Sequence, residues 1–261
     1  MWGRIEGILI RNLYLYKRSI PRILDVFFWP SLDLILWGFL SLYLQEFDMS
    51  GLNIVTILLG AIIFWELLSQ SQRAISITFL EEVWERNFLN IFVTPISMNE
   101  FLGATALVGL VRIGLVSILM SILAFLLYHF NFFIFGFLLI PFVINLLISG
   151  WVLGIFVIGL ILRYGTSAQV LAFGLIAIIQ PFTAVFYPVS ALPEWAQVIA
   201  HAIPTTYVFE GMRAVLTNGN IPPMDLVLAF VLNILYLGLV FLFFRAMFGK
   251  VKKMGRLLKL D

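Results

Sequence analysis

Asp33, Glu66 and Arg112 each stand inside a long apolar run, so their types need explaining before anything else in the chain. A charge in lipid is costly, and each must face protein or water. Arg112 is long enough to reach toward either acid. The chemistry on offer is electrostatic: an internal ion pair that fixes helix packing, or a polar lining for the inner part of a pathway. Buried charges usually pair, which favours the first reading. One arginine cannot neutralise two acids, which keeps the second. Covalent chemistry has no support. The chain has no Cys, no His-Glu-x-x-His zinc pattern and no nucleophile elbow. His129 and His201 are far apart in sequence, and no metal site is expected. The Gly-x-x-x-x-Gly-Lys-Ser/Thr loop that cradles nucleotide phosphates is missing too. Gly249-Lys250 lacks both the earlier Gly and the following Ser or Thr.

The elements that must hold these charges are membrane helices. Hydrophobic residues make up 62% of the 261 residues and charged ones only 11%, against about 25% charged in a soluble domain. That leaves too little polar surface for a water-soluble fold. Six apolar runs approach or exceed the roughly 20 residues that cross a bilayer, near 26–44, 53–72, 101–127, 134–161, 168–189 and 225–244. No internal repeat is evident. The N-terminus lacks the apolar core and small-residue cleavage site of a signal peptide, so it is expected to be retained.

Lys and Arg set the orientation. Arg4, Arg11, Lys17, Arg18 and Arg22, then Arg73 and Arg86, then Arg163, then the basic tail 245–261 all fall on one side of a six-span threading. Arg213 falls opposite, with Glu46, Asp48, Glu194, Glu210 and Asp225. Both termini are therefore expected in the cytoplasm, in a multi-pass protein of the cell membrane. Segment 1–25 has helical period: Trp2, Ile5, Leu9, Leu13 and Tyr16 form an apolar stripe, with Arg4, Arg11 and Lys17-Arg18 around it. The spacing predicts an amphipathic helix at the inner interface.

Two segments depart from the greasy pattern. Inside, Thr78-Phe-Leu-Glu81 has the form of a capping box. Leu80, Val83, Trp84, Phe88 and Ile91 then share one face, with Glu81, Glu82, Glu85, Arg86 and Asn90 largely off it. Thr94-Pro95 ends the helix, because Pro disfavours helical geometry in the residue before it. Ser97-Met-Asn-Glu100 is a second box, starting the third span. A short, separately capped acidic helix over 78–93 is expected. Its acidic face suits a soluble partner better than the anionic inner leaflet. Outside, the segment 188–215 is Pro-punctuated yet apolar, and broken backbone near a membrane survives only under protein cover or beside a wet cavity. There Tyr207, Glu210 and Arg213 recur at i, i+3, close enough to meet on a short helix, after Pro204. Thr205 or Thr206 is a candidate cap.

These elements, in this order, resemble the permease subunits of ABC-2 type exporters. The most similar stretches are LEEVWERNFLNIFVTPIS at 80–97 and IPTTYVFEGMRAVL at 203–216, where Pro204, Tyr207, Glu210 and Arg213 follow the family pattern. The resemblance implies an all-α integral membrane protein: a six-helix domain over 26–244, an N-terminal interface helix, a cytoplasmic coupling helix and short outer re-entrant helices. It implies two permease subunits, as homo- or heterodimer, driven by separate ABC ATPase subunits that hold the ATP and Mg; this chain would bind no cofactor. It also implies that the inner helix seats on the ATPase, with Glu81, Glu82, Trp84, Glu85 and Arg86 as the expected contacts. The expected cargo is an amphiphile, a drug-like molecule in preference to a lipid or lipid-linked glycan, since no long soluble carbohydrate-binding region is present. Nucleic acid is not an expected partner. The alternative is a membrane scaffold or regulatory subunit that docks a cytoplasmic partner without transport.

Overall fold

The computed structural model describes residues 2–47, 53–219 and 223–253. Asp48 and the end of the basic tail, 254–261, lie outside the described residues. Among the described residues all regular structure is helical. In chain order the helices are α1 (Trp2–Arg18), α2 (Ile20–Glu46), α3 (Ile54–Trp84), α4 (Phe88–Val93), α5 (Met98–Tyr128), α6 (Leu139–Tyr164), α7 (Val170–Ile179), α8 (Glu194–Ala202), α9 (Pro204–Asn218) and α10 (Pro223–Lys253). Short 3-10 turns join several of them.

α3 is the axis of the bundle. Buried residues fill 78% of its most apolar window, against 22% for α2 and 17% for α10. α2, α5 and α6 pack around it, α10 packs on α6, and α1 lies against α5. Lipid tails are as apolar as leucine, so close backbone approach has to replace the hydrophobic effect between membrane helices. Gly150 and Gly154 supply it: a Cβ on Gly150 would meet Ser71 Cβ at 2.4 Å, and one on Gly154 would meet Ile75 Cβ at 2.8 Å and the Gln72 carbonyl oxygen at 3.0 Å.

Two apolar clusters divide along α3, one using Leu59–Leu68 and the other Ile75–Val83. Between them runs Ser69-Gln-Ser-Gln-Arg73, of which Ser69 to Gln72 are buried. The composition of this run places the inner end of a span at 72, yet α3 continues to Trp84. These polar side chains reach partners inside the protein, although Gln70 Nε2, Gln72 Oε1 and Arg73 Nε are left without one. Ser71 Oγ donates to the Leu147 carbonyl at 2.9 Å, and Gln72 Nε2 donates to the Ala172 carbonyl at 3.1 Å. With no Gly or Pro from 73 to 84, nothing breaks the helix until Arg86 turns left-handed at φ 53°. Thr78 is thus mid-helix, not a cap, and its hydroxyl is buried without a partner. The expected helix over 78–93 resolves into the end of α3 and the short α4. Its predicted stop does occur: Thr94 is extended before Pro95. The Ser97–Glu100 capping box is formed in both directions.

Among the described residues, five helices are long and apolar enough to cross a membrane, by length and composition. The fifth run, 168–189, is different. α7 has only 10 residues, about 15 Å against roughly 30 Å of hydrocarbon. Gln180-Pro181 then passes into a 3-10 turn, because Pro has no N–H to continue the helix. In α2, Pro30 lies inside a continuous helix and removes one ladder bond there.

The buried face of α1 is Ile5, Ile8 and Asn12, of which only Ile5 belongs to the predicted stripe. Trp2 and Leu13 face outward. The basic residues Arg4 and Arg11 turn toward the body of the protein instead of the lipid headgroups, for the reason given below.

Candidate functional site

Three charge groups follow one another along the bundle. The first ties α1 and α2 to the loop end of α3. Arg11 Nη1 and Nη2 reach Glu82 Oε1 and Oε2 at 2.5 and 3.1 Å, a bidentate pair with Glu82 almost fully buried. Arg22 bridges Glu81 at 3.2 Å and Glu85 at 2.8 Å. Arg4 pairs with Glu100 at 3.3 Å and donates to the Pro95 carbonyl. Arg4 and Arg11 turn inward because two carboxylates, Glu100 and the buried Glu82, and the Pro95 carbonyl lie there to accept from them. Of the acids expected on the ATPase, Glu82 holds the amphipathic helix α1 through Arg11, and Glu81 and Glu85 hold the start of α2 through Arg22. Trp84 donates Nε1–H to Gln169 at 3.0 Å and Arg86 is exposed.

Bidentate charge-assisted bonds to a buried carboxylate are the strong kind. A double-mutant cycle on Arg11→Ala and Glu82→Ala, read by thermal unfolding in detergent, is expected to give a coupling of about 1–3 kcal/mol. Additive losses would remove the strap from the account.

The second group centres on Arg112, 3% exposed. Nη1 donates to the Tyr16 hydroxyl at 2.9 Å, and Nη2 donates to Gln70 Oε1 at 2.9 Å and Asp25 Oδ2 at 3.2 Å. Burial pushes the Tyr16 phenol up from its usual pKa, with the Arg112 charge acting the other way, so Tyr16 stays a neutral hydroxyl at physiological pH. The expected pairing of Arg112 with Asp33 or Glu66 is not what forms. α2 starts six residues earlier than the apolar run suggests, which brings Asp25 into the first long helix and within reach.

The third group is Asp33 with Glu66. Their carboxyls are within hydrogen-bonding reach of each other, Gln70 neighbours Glu66, and Arg73 is the cation acting on both. Glu66 is 2% exposed and Asp33 half-buried. Asp33 is midway along α2, farther from the inner end than the 26–44 span implies. Glu66, Gln70, Arg73 and Glu81 lie at helical spacing on α3 with Glu85 at its C-cap, so polar groups run from mid-helix to the loop. Gln70 and Asp25 were not singled out by sequence, Tyr16 was read only as part of the apolar stripe, and Arg73 only as an inner-side charge. The i, i+4, i+7 recurrence of Glu66, Gln70 and Arg73 was the available signal.

On the other side, Glu210 and Arg213 pair at 2.8 Å as the i, i+3 spacing predicts. Each also reaches out of the helix: Glu210 Oε1 accepts from Val189 N–H at 2.8 Å, and Arg213 Nη1 donates to the Val185 carbonyl at 3.0 Å. The pair therefore pins the segment after α7 onto α9. Tyr207 donates to the His201 carbonyl instead of joining them. Pro204 takes the first helical position, with Ile203 before it as a cap without a side-chain bond. Thr205 and Thr206 are buried with unpartnered hydroxyls, so neither is the cap. Phe186 stacks on Trp37 of α2 with ring centroids 3.9 Å apart.

No catalytic constellation accompanies these groups, and among the described residues no cluster of three or more His, Cys, Asp or Glu could hold a metal. The arrangement can hold helices, pass force and present charge. No curated protein matches the chain, whereas a family model described as ABC-2 type transporter matches residues 5–217. A multi-helix membrane bundle with a strapped inner loop and a pinned outer segment agrees with that match: the chain belongs to the ABC-2 type transporter family and is the membrane permease component of an ABC transporter.

Proposed function

We propose that this permease moves an amphiphilic cargo outward, driven by ATP hydrolysis on separate ABC ATPase chains, and works as a dimer of permease subunits in the cell membrane. The observation carrying this reading is α3. It is one 31-residue helix, about 46 Å long, from the outer side through the buried polar groups to the loop that holds α4. A displacement at the loop end reaches the mid-membrane charges through a single rigid element.

The seat for the ATPase follows from which loop residues are exposed. Glu81 and Glu82 are held internally by Arg22 and Arg11. Val93 at 85% exposure, with exposed Asn90, Thr94 and Pro95, offers an apolar contact ringed by polar groups. Trp84, Glu85 and Arg86 border it.

The topology has both termini in the cytoplasm. Residues 165–188 support it: Gln169 meets Trp84 at the inner end of α3, while Phe186 meets Trp37 in the outer half of α2. This broken segment is the sixth passage, made without a span-length helix and covered by protein along its way.

The test is co-purification of the full chain with a candidate ATPase in lipid, with turnover measured. Val93→Asp is expected to abolish association or cut cargo-stimulated turnover at least about tenfold, the size of one lost interface anchor, without lowering the unfolding temperature. Full association and turnover in V93D would move the seat elsewhere. Failure of the folded chain to associate with any candidate ATPase would sink the ATP-driven reading.

A further inference from the structure

The Asp33–Glu66 pair is not explained by packing. Counting the charges in the middle of the bundle gives three acids, Asp25, Asp33 and Glu66, and two guanidinium groups, Arg73 and Arg112. Arg112 is committed to Asp25, Gln70 and Tyr16. Arg73 alone faces two carboxyl groups that lie within reach of each other. Two carboxyls within hydrogen-bonding reach of each other do not both stay ionised beside a single arginine, so the pair retains one proton, and a cation that displaces that proton meets a second negative charge.

A second observation is independent of this count. Glu66 is almost wholly buried, yet its Oε2 has no hydrogen-bond partner. A purely structural acid at that depth would be expected to have both oxygens satisfied, because an unpaired polar atom is expensive there. The Glu66 side chain neighbours Asp33, whose partial exposure opens the pair toward the outward face of α2. Along that face, Trp29 and Leu36 lie one helical turn to either side of Asp33, and both are more than half exposed. A carboxyl pair that can release its shared proton, flanked by an indole and an aliphatic side chain, fits a positive charge on an apolar body. The indole face adds a cation–π contribution.

We propose that Asp33 and Glu66 form a mid-membrane subsite for the positively charged head of an amphiphile, with Trp29 and Leu36 seating its apolar part. As a statement about cargo, it rests on the transport reading above; as a statement about binding, it does not. Gln70 and Arg73 set the position of the carboxyls without contacting the ligand. Arg73 also limits the site to one positive charge, since it already offsets the other.

The probe is tetraphenylphosphonium, with tetraphenylborate as its charge-reversed counterpart of like size. Each is measured by equilibrium dialysis against the full chain in lipid nanodiscs, as excess over protein-free discs. Wild type is expected to bind tetraphenylphosphonium saturably and tetraphenylborate not at all. Glu66→Gln and Asp33→Asn should each weaken cation binding at least tenfold, while Glu194→Gln on the exposed start of α8 leaves it unchanged. Unfolding temperatures establish that the variants are folded, and if one is not, the other carries the test. Equal binding of cation and anion, no saturable binding by folded wild type, or unchanged affinity in the folded acid variants overturns the proposal. The assay contains no ATPase. Charge-selective binding by a chain that recruits no ATPase keeps the subsite and removes export; recruitment without such binding does the reverse.

Discussion

Arg112→Met should lower the unfolding temperature in detergent by roughly 10 °C and cut the folded yield. Methionine keeps the length and apolar stem of the side chain, so the packing loss is small. What disappears is the donor set. Gln70 Oε1, fully buried, and the Tyr16 hydroxyl each lose their bond, and Asp25 loses its cation. Breaking a buried pair from one side costs about 3–5 kcal/mol. Asp25 keeps 40% of its side-chain exposure, which puts the expected loss near the lower end, about 3 kcal/mol. At 2–4 °C per kcal/mol for a chain of this size, that is the temperature drop stated above. Arg112→Lys should recover part of it, since an ammonium satisfies Asp25 but cannot span all three acceptors. Ordinary yield and an unchanged unfolding temperature in Arg112→Met, together with altered cargo preference, would make Arg112 part of a transport lining instead of a fastener.

A larger defect is expected at the α3–α6 contact. In Gly154→Leu, the first added carbon already lies 3.0 Å from the Gln72 carbonyl oxygen and 2.8 Å from Ile75 Cβ. Neither is the tip of a flexible side chain, so the helices must separate. Overpacking of this kind typically costs about 1–3 kcal/mol. Here it also pulls apart the Ser71–Leu147 bond on the same contact, so a loss at or above the upper figure is expected. Gly114→Ala on α5 is the matched control: its added carbon meets nothing within 4 Å, and alanine gains up to ~1 kcal/mol over glycine in a helix interior. Thermal unfolding of the two variants should therefore move in opposite directions. Parallel behaviour would mean that the close approach of α3 and α6 is not what holds the bundle.

How much of this was legible in the chain depended on whether the signal was local. The Ser97–Glu100 box and the Glu210–Arg213 pair lie within one helical turn, and both form as their spacing predicts. The third span starts at the predicted cap for the same reason. Long-range partners were not legible. Glu81, Glu82 and Glu85 look like a free acidic face until α1 and α2 bring Arg11 and Arg22 to them from 59 to 71 residues away. Arg112 pairs with an acid that the apolar run leaves outside the membrane. The polar run 69–73 is indistinguishable, by composition, from the end of a span. Only the packing of α6 and α7 against it reveals an internal layer. The fifth run shows the opposite error: its composition is that of a span, but Pro181 splits it.

Pro30 gives α2 a mechanical character that its unbroken helical assignment conceals. The ring removes the bond to the carbonyl four residues earlier, and sharp helix bends concentrate at such places. Asp25 lies on one side of this soft point and Asp33 on the other. The inner rod is bolted to α3 and α5 through Arg22 and Arg112, while the outer rod carries the carboxyl that faces Glu66. Flexure at residue 30 would therefore change the spacing of Asp33 and Glu66 while the inner bolts stay fastened. In that sense α2 is a jaw with a fixed root: its grip can open and close without the bundle coming apart.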